Sequence, residues 1–222
     1  MSQDEAKTTQ SSNILTPTVG ASYRNGWRQI RKYFLELFLI GLIGLVITIP
    51  SGMGSGEAQD GATAVGILGV LGLIYGILIA NPTEYGISFA YLKAARNDKP
   101  EIRDMFEAFR NYWNAVLADL LVGAIVAIGL FLLIIPGIIF GCKLAFTPYL
   151  VVDRKMDVIE AVKESWRMTN GHAWTVFLTG LLAIPIIILG LICFVVGIIP
   201  AIMWITAAFA SLYHAVSSSA EI

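Results

Sequence analysis

The chain is short of charge. Asp, Glu, Lys and Arg make up 14 % of its 222 residues, where a soluble domain carries roughly 25 %. It has no basic excess either: the formal net charge is −1, which gives a nucleic-acid backbone nothing to hold and excludes a nucleic-acid partner. Cysteine is nearly absent. Cys142 and Cys193 both stand in apolar runs without metal-type spacing, so they read as small buried hydrophobes rather than a disulfide framework or metal site. The two histidines, His172 and His214, have no Ser, Cys or Asp arrangement around them. No phosphate loop, zinc motif or nucleophile elbow is present. The residues therefore predict no enzyme, no cofactor and no metal.

What fills the chain instead is hydrocarbon. Apolar residues reach 56 %, mean hydropathy is +0.72, and the excess is clustered into runs long enough to cross a bilayer. Six spans are predicted: Phe34 to Ile49 ending at Pro50, Ala64 to Ala90, Trp113 to Ile135, Ile138 to Val152, Ala173 to Phe194 with Pro185 inside it, and Ile198 to Tyr213. Pro136-Gly137 is predicted to make the tight turn between the third and fourth. Residues 1–22 read as a disordered polar tail, residues 23–216 as one membrane domain, and residues 217–222 as a short C-terminal tail. No short apolar core with a small-residue cleavage site stands near the N-terminus, so the first span is expected to act as the insertion signal.

The basic residues give an orientation. Arg24, Arg28, Arg31 and Lys32 precede the first span, five lie between Lys93 and Arg110, and Arg154, Lys155, Lys163 and Arg167 separate the fourth span from the fifth. The loops on the other side carry no Lys or Arg; the longest has only Glu57 and Asp60. The positive-inside rule then places both termini in the cytoplasm, for a multi-pass protein of a bacterial inner membrane.

An internal repeat is legible. IRDMFEAFR (Ile102–Arg110) aligns with IEAVKESWR (Ile159–Arg167), each preceded by an Asp-x-x-Glu capping signal, Asp98…Glu101 and Asp157…Glu160. Upstream, Tyr91-Leu92 precedes Arg96 as Tyr149-Leu150 precedes Arg154; downstream come Trp113 and Trp174, then an apolar run and Ile-Pro. Tyr23, Trp27-Arg28 and Ile49-Pro50 echo the order near the N-terminus. The predicted architecture is all-α: a polytopic membrane protein of six transmembrane helices arranged as three pseudo-repeated hairpins, each with a cytoplasmic amphipathic helix. Apolar residues at helical spacing (Ile102, Met105, Phe106, Phe109; Ile159, Val162, Trp166) give those helices one greasy face. Such a helix either lies in the membrane interface, with Lys and Arg toward headgroups, or packs on the protein's own spans. On the interfacial reading Trp27, Arg28, Phe109, Arg110, Trp113, Trp166, Arg167 and Trp174 are anchors.

The run TPYLVVDRKMDVIEAVKESWRMTNGHAWTVF, followed by an apolar hairpin with IIP, resembles the membrane domain found beside some bacterial glycerophosphoryl diester phosphodiesterases, and related multi-pass bacterial membrane proteins. The resemblance covers Tyr91 to the C-terminus. It implies a six-helix membrane domain. It does not bring the phosphodiesterase activity, because a soluble barrel of about 250 residues has no place here and its catalytic His and metal-binding carboxylates have no counterparts.

Ionisable groups inside spans are functional candidates. Glu36 is near enough to Lys32 to reach the interface. Glu84, Asp119 and Lys143 are deeper, each roughly 13–15 Å from the cytoplasmic helix end at 1.5 Å per residue. Equal depth on adjacent spans predicts a Lys143–Asp119 or Lys143–Glu84 pair, with one acid left protonated or holding a cation. Pro82 and Pro148 predict kinks in the second and fourth spans. Two functions follow. One is a non-catalytic scaffold or accessory subunit, meeting membrane lipids (anionic headgroups among them), a larger membrane complex or a homo-oligomer. The other is a small transporter or lipid-handling protein built round Glu84, Asp119 and Lys143.

Overall fold

The computed structural model describes residues 16–52, 62–192 and 195–220. Among the described residues the regular structure is all helix, with no strand. In chain order the elements are α1 (Val19–Lys32), α2 (Phe34–Gly52) and α3 (Ala62–Tyr75). A π-helical turn (Gly76–Ala80) leads into α4 (Asn81–Ala95), and a 3₁₀ segment (Ile102–Asn111) into α5 (Tyr112–Leu132). The rest are α6 (Ile134–Leu144), α7 (Thr147–Asp153), α8 (Val158–Thr169), α9 (Ala173–Ile192) and α10 (Val195–Ala220). Cys193, Glu57, Asp60 and residues 1–15 of the predicted N-terminal tail lie outside the described residues.

Five helical stretches are long and apolar enough to cross a membrane: Gly69–Ala95, Ile102–Leu132, Ile134–Asp153, Ala173–Ile192 and Gly197–Ser219. A sixth exists if α1 and α2, which meet at 97°, are counted together. The outward surface of these helices is hydrocarbon; Phe131 is 92 % exposed, and Ile134, Ile188 and Leu189 are exposed as well. In water that surface would be an aggregation liability. In a bilayer it matches the solvent, and with these helices it marks an integral membrane protein.

Small residues are interspersed with large ones such as Phe146, Leu150 and Tyr213 in the interior. Ala90, Ala94, Ala95, Ala108, Ala115, Ala118, Ala208, Ala210 and Ala215 are all buried, which lets helices approach closely where lipid supplies no hydrophobic drive between them. Two glycines take this to its limit. A Cβ on Gly26 of α1 would stand 3.0 Å from the Ala207 carbonyl carbon and the Ala208 nitrogen of α10. A Cβ on Gly86 of α4 would stand 1.7 Å from the Met105 carbonyl oxygen.

Several predicted boundaries move. Helix α1 starts at Val19 and buries Ser22 and Tyr23, so the polar tail stops short of residue 22; tertiary contact with α10 overrides a weakly helical composition. Helix α10 runs to Ala220 with Ser217 buried, which removes the C-terminal tail from 217. The third helix begins at Ile102, eleven residues early, because the 3₁₀ segment runs straight into α5. The turn before α6 is not Pro136-Gly137. It is the single extended residue Leu133, and Pro136 sits in the first turn of α6, where its missing N–H costs nothing. Gly129 and Gly137 then face one another across the hairpin.

Candidate functional site: polar groups carried into the apolar helices

The carboxylates come first. Asn81, at the junction of the π turn and α4, donates its side-chain N–H to Asp119 Oδ2 of α5. Glu84, one turn further along α4, is exposed and lies within electrostatic reach of Asp119. A π turn stands just before Pro82, where the sequence predicts a kink. Proline leaves the carbonyl four residues back without its helical partner; that carbonyl, Leu78 O, accepts the Tyr112 hydroxyl at 3.0 Å. Thr83 closes on Ile79 O at 2.7 Å. The break in the helix is therefore satisfied locally, from the same two helices that carry the acids.

Lys143 does not join them. Its Nζ donates to Asn170 Oδ1 and stands 5.4 Å from the centre of the Trp166 ring. The predicted Lys143–Asp119 or Lys143–Glu84 pair is thus replaced by a neutral amide and an aromatic face. The reason is topological. Helix α8 packs against α6 and α7, so its C-terminal end, and neither acid, lies at Lys143. The same end repairs the gap between α6 and α7. Ser165 Oγ donates to Lys143 O at 2.9 Å and accepts from Phe146 N at 3.3 Å, and Thr169 Oγ1 donates to Lys143 O at 3.2 Å. Pro148 is in the first turn of α7, past this gap.

A third group was not legible in the sequence. Arg96, at the end of α4, makes a two-pronged pair with Asp153 of α7, at 2.6 and 2.7 Å. Tyr213 of α10 donates to Asp153 Oδ2 at 3.2 Å. Nearby, Asn25 of α1 donates to Ser211 Oγ of α10 at 3.0 Å and to Ala95 O at 3.4 Å, and Gln29 donates to Asn97 Oδ1 at 3.0 Å. Lys93 and Asp104 pair at 2.9 Å, and Asp104 also accepts the Glu101 backbone N–H at 2.8 Å. The capping box thus sits at Glu101…Asp104, one turn later than Asp98…Glu101. At the other copy, Asp157 caps nothing with its side chain; it accepts from Asn114 Nδ2 instead, at 3.0 Å. These pairs lie up to 186 residues apart in the chain, and charged residues in predicted loops give no pattern by which to match them.

The predicted anchors are at the surface. Trp113 and Trp174 are 68 % and 69 % exposed, with Trp27, Phe109 and Trp166 less so. The greasy faces of the repeat helices turn outward: Ile102, Phe106 and Phe109 are exposed while Met105, Ala108 and Asp104 are buried, and Ile159 and Trp166 are exposed while Ala161, Ser165 and Met168 are buried. Part of each face does pack on the protein's own helices: Met105 is buried, and the Trp166 ring lies 5.9 Å from that of Phe140 on α6. Among the anchor cations, Arg28 donates to Asn25 Oδ1 at 2.7 Å. Arg110 pairs with Glu107 at 3.6 Å and Arg167 with Glu164 at 2.7 Å. The Arg167 hydrogen bond holds the Glu164 carboxyl below the usual glutamate range.

Comparison with families of known sequences, with curated proteins and with solved structures finds no match.

Proposed function

We propose that this chain is a non-catalytic integral membrane protein, a scaffold or accessory subunit that holds aromatic-basic helical faces against lipid or a partner membrane complex. The observation that carries the reading is the exposure of Ile102, Phe106 and Phe109 on the 3₁₀ segment and of Ile159 and Trp166 on α8, while Asp104, Ala108, Ala161 and Ser165 pack inward beside Met105 and Met168. A soluble helix does the reverse. Exposed aromatics flanked by Arg suit the zone where hydrocarbon meets headgroups.

The three-module organisation belongs to the same proposal, with both termini cytoplasmic and the module repeated three times as interfacial helix plus hairpin. Two features support the repeat. Tyr91-Leu92 and Tyr149-Leu150 are buried alike. Arg96 and Arg154 end their helices at corresponding places, each followed by a non-glycine residue with positive φ, Asn97 at 67° and Lys155 at 52°. The two copies differ in form, 3₁₀ against α. The transporter reading loses its three-membered cluster but retains the Asn81–Asp119–Glu84 group, and it is secondary for that reason.

A photo-crosslinking residue placed at Phe106 or Ile159 of the full-length protein tests the reading in native membranes. Lipid adducts, or one discrete protein adduct, are expected at both positions. If neither position gives an adduct while Phe131 gives lipid adducts, these faces meet water and the proposal fails.

A further inference from the structure

The aromatic-basic helices do not carry equal charge. The 3₁₀ segment sets Arg103 and Arg110 against Asp104 and Glu107, and Arg103 is further paired with Glu101 at 2.6 Å. Helix α8 sets Lys163 and Arg167 against Glu160 and Glu164. Both are neutral by count. Helix α1 has four bases, Arg24, Arg28, Arg31 and Lys32, and no acid. None of the four is in an ion pair among the described residues: Arg28 meets the neutral Asn25, Lys32 lies over the Tyr33 ring, and Glu36, the nearest acid in sequence, is taken by Lys99 at 3.4 Å.

The geometry of α1 is also different. The 3₁₀ segment and α8 fold back along neighbouring helices, the first against Gly86 of α4 and the second against α6 and α7. Helix α1 packs along α10 as well, and it differs in meeting the apolar α2, one residue further on, at 97°. It is held there by an inward face that is unusually polar. Tyr23 Oη donates to Thr179 O at 2.8 Å, Trp204 Nε1 donates to Tyr23 O at 3.0 Å, and Asn25 reaches Ser211. With that face fixed, Arg24, Trp27, Arg28 and Arg31 are exposed as one stripe at helical spacing.

We propose that α1 is the element that binds the anionic phospholipid headgroup layer, and that the 3₁₀ segment and α8 meet the membrane without selecting for lipid charge. This rests on the interfacial reading above and assigns its charge selectivity to one helix. The physical reason is cancellation. A cation beside an anionic surface improves partitioning by about five-fold. A cation paired with its own carboxylate offers a dipole, whose field is screened within a Debye length of about 8–10 Å.

The test uses the full-length protein in nanodiscs of phosphatidylcholine and phosphatidylglycerol, with the retained lipids read by native mass spectrometry. Two quadruple variants are compared: Arg24→Gln/Arg28→Gln/Arg31→Gln/Lys32→Gln, and Arg103→Gln/Arg110→Gln/Lys163→Gln/Arg167→Gln. The first should lower the ratio of anionic to zwitterionic lipid on the protein at least five-fold and flatten its dependence on NaCl. The second should stay within two-fold of wild type. Arg24→Lys/Arg28→Lys/Arg31→Lys, which retains charge, should keep the wild-type ratio and exclude a folding defect as the cause. An unchanged first variant, or a second variant that falls as far, overturns the assignment. Placement is read separately, as quenching of Trp27 by bromolipid in a Trp113→Phe/Trp166→Phe/Trp174→Phe background, against the same background with Trp27→Phe. Absence of Trp27 quenching would overturn the placement of α1 in the interface, whatever the lipid ratio.

Discussion

Replacing Gly86 with Ala tests the closest helix contact in the fold. The new methyl carbon would stand 1.7 Å from Met105 O, 2.4 Å from Met105 C and 2.9 Å from Met105 Cα. All three atoms are backbone, so no side chain can swing aside. Overpacking of this kind costs typically 1–3 kcal/mol, and a contact this short belongs at the top of that range. Alanine returns about 1 kcal/mol through its better helix propensity. The net loss is about 2 kcal/mol. At roughly 2–4 °C per kcal/mol for a chain of this size, the apparent midpoint should fall by about 4–8 °C. Relief requires α4 and the 3₁₀ segment to separate, which also strains the 2.9 Å Lys93–Asp104 pair, so Gly86→Ala and Asp104→Asn should be non-additive. The control is Gly123→Ala: a Cβ there meets nothing within 4 Å, and the change should be neutral or stabilising by up to about 1 kcal/mol. Both variants are melted in one detergent at one scan rate. If Gly86→Ala and Gly123→Ala move the midpoint equally, the close approach is not real.

Three further outcomes are expected. Asp153→Ala strands the Arg96 guanidinium in a half-buried site, and breaking a buried pair from one side costs about 3–5 kcal/mol; with Arg96 69 % covered the lower end applies. Arg96→Met in the same chain should recover most of the loss in a double-mutant cycle, and no coupling would mean that the pair is idle. Ser165→Ala removes the hydroxyl shared by Lys143 O and Phe146 N, and an orphaned buried group costs about 1–3 kcal/mol; hydrogen exchange at Phe146 should speed up, and unchanged exchange would refute the bridge. Glu164, held low first by the Arg167 hydrogen bond, contributes stability above the ordinary glutamate range and loses it as the pH falls through its lowered titration. Its carboxyl carbon resonance should titrate below the ordinary glutamate range, and Arg167→Gln should return it upward.

The sequence made some of this legible and hid the rest. Helix type and apolar spans follow from run length alone, since a backbone in hydrocarbon must satisfy its own hydrogen bonds. The outer ends of those helices were misplaced wherever a tertiary contact extended them, as Ala207 and Ala208 do for α1 through Gly26. Depth counting placed Lys143 level with two acids. It is blind to azimuth and to a third helix packed alongside, so it does not report Asn170 and Trp166. Proline signalled a break at Pro82, but not that Tyr112 would cover the freed carbonyl.

By itself, then, the sequence determined the solvent, because a chain with 14 % charge and long apolar runs has no soluble way to bury its surface. It also determined which residues carry aromatic and cationic character near the helix ends. Only the tertiary structure decided who partners whom. Arg96 finds Asp153, Lys143 finds Asn170, and Arg103, Arg110 and Arg167 find acids within one turn of themselves. Electrostatics and hydrogen bonds act over a few ångströms in space, and sequence distance does not report that. The four bases of α1, the helix in which the repeat was weakest in the sequence, are in no ion pair among the described residues.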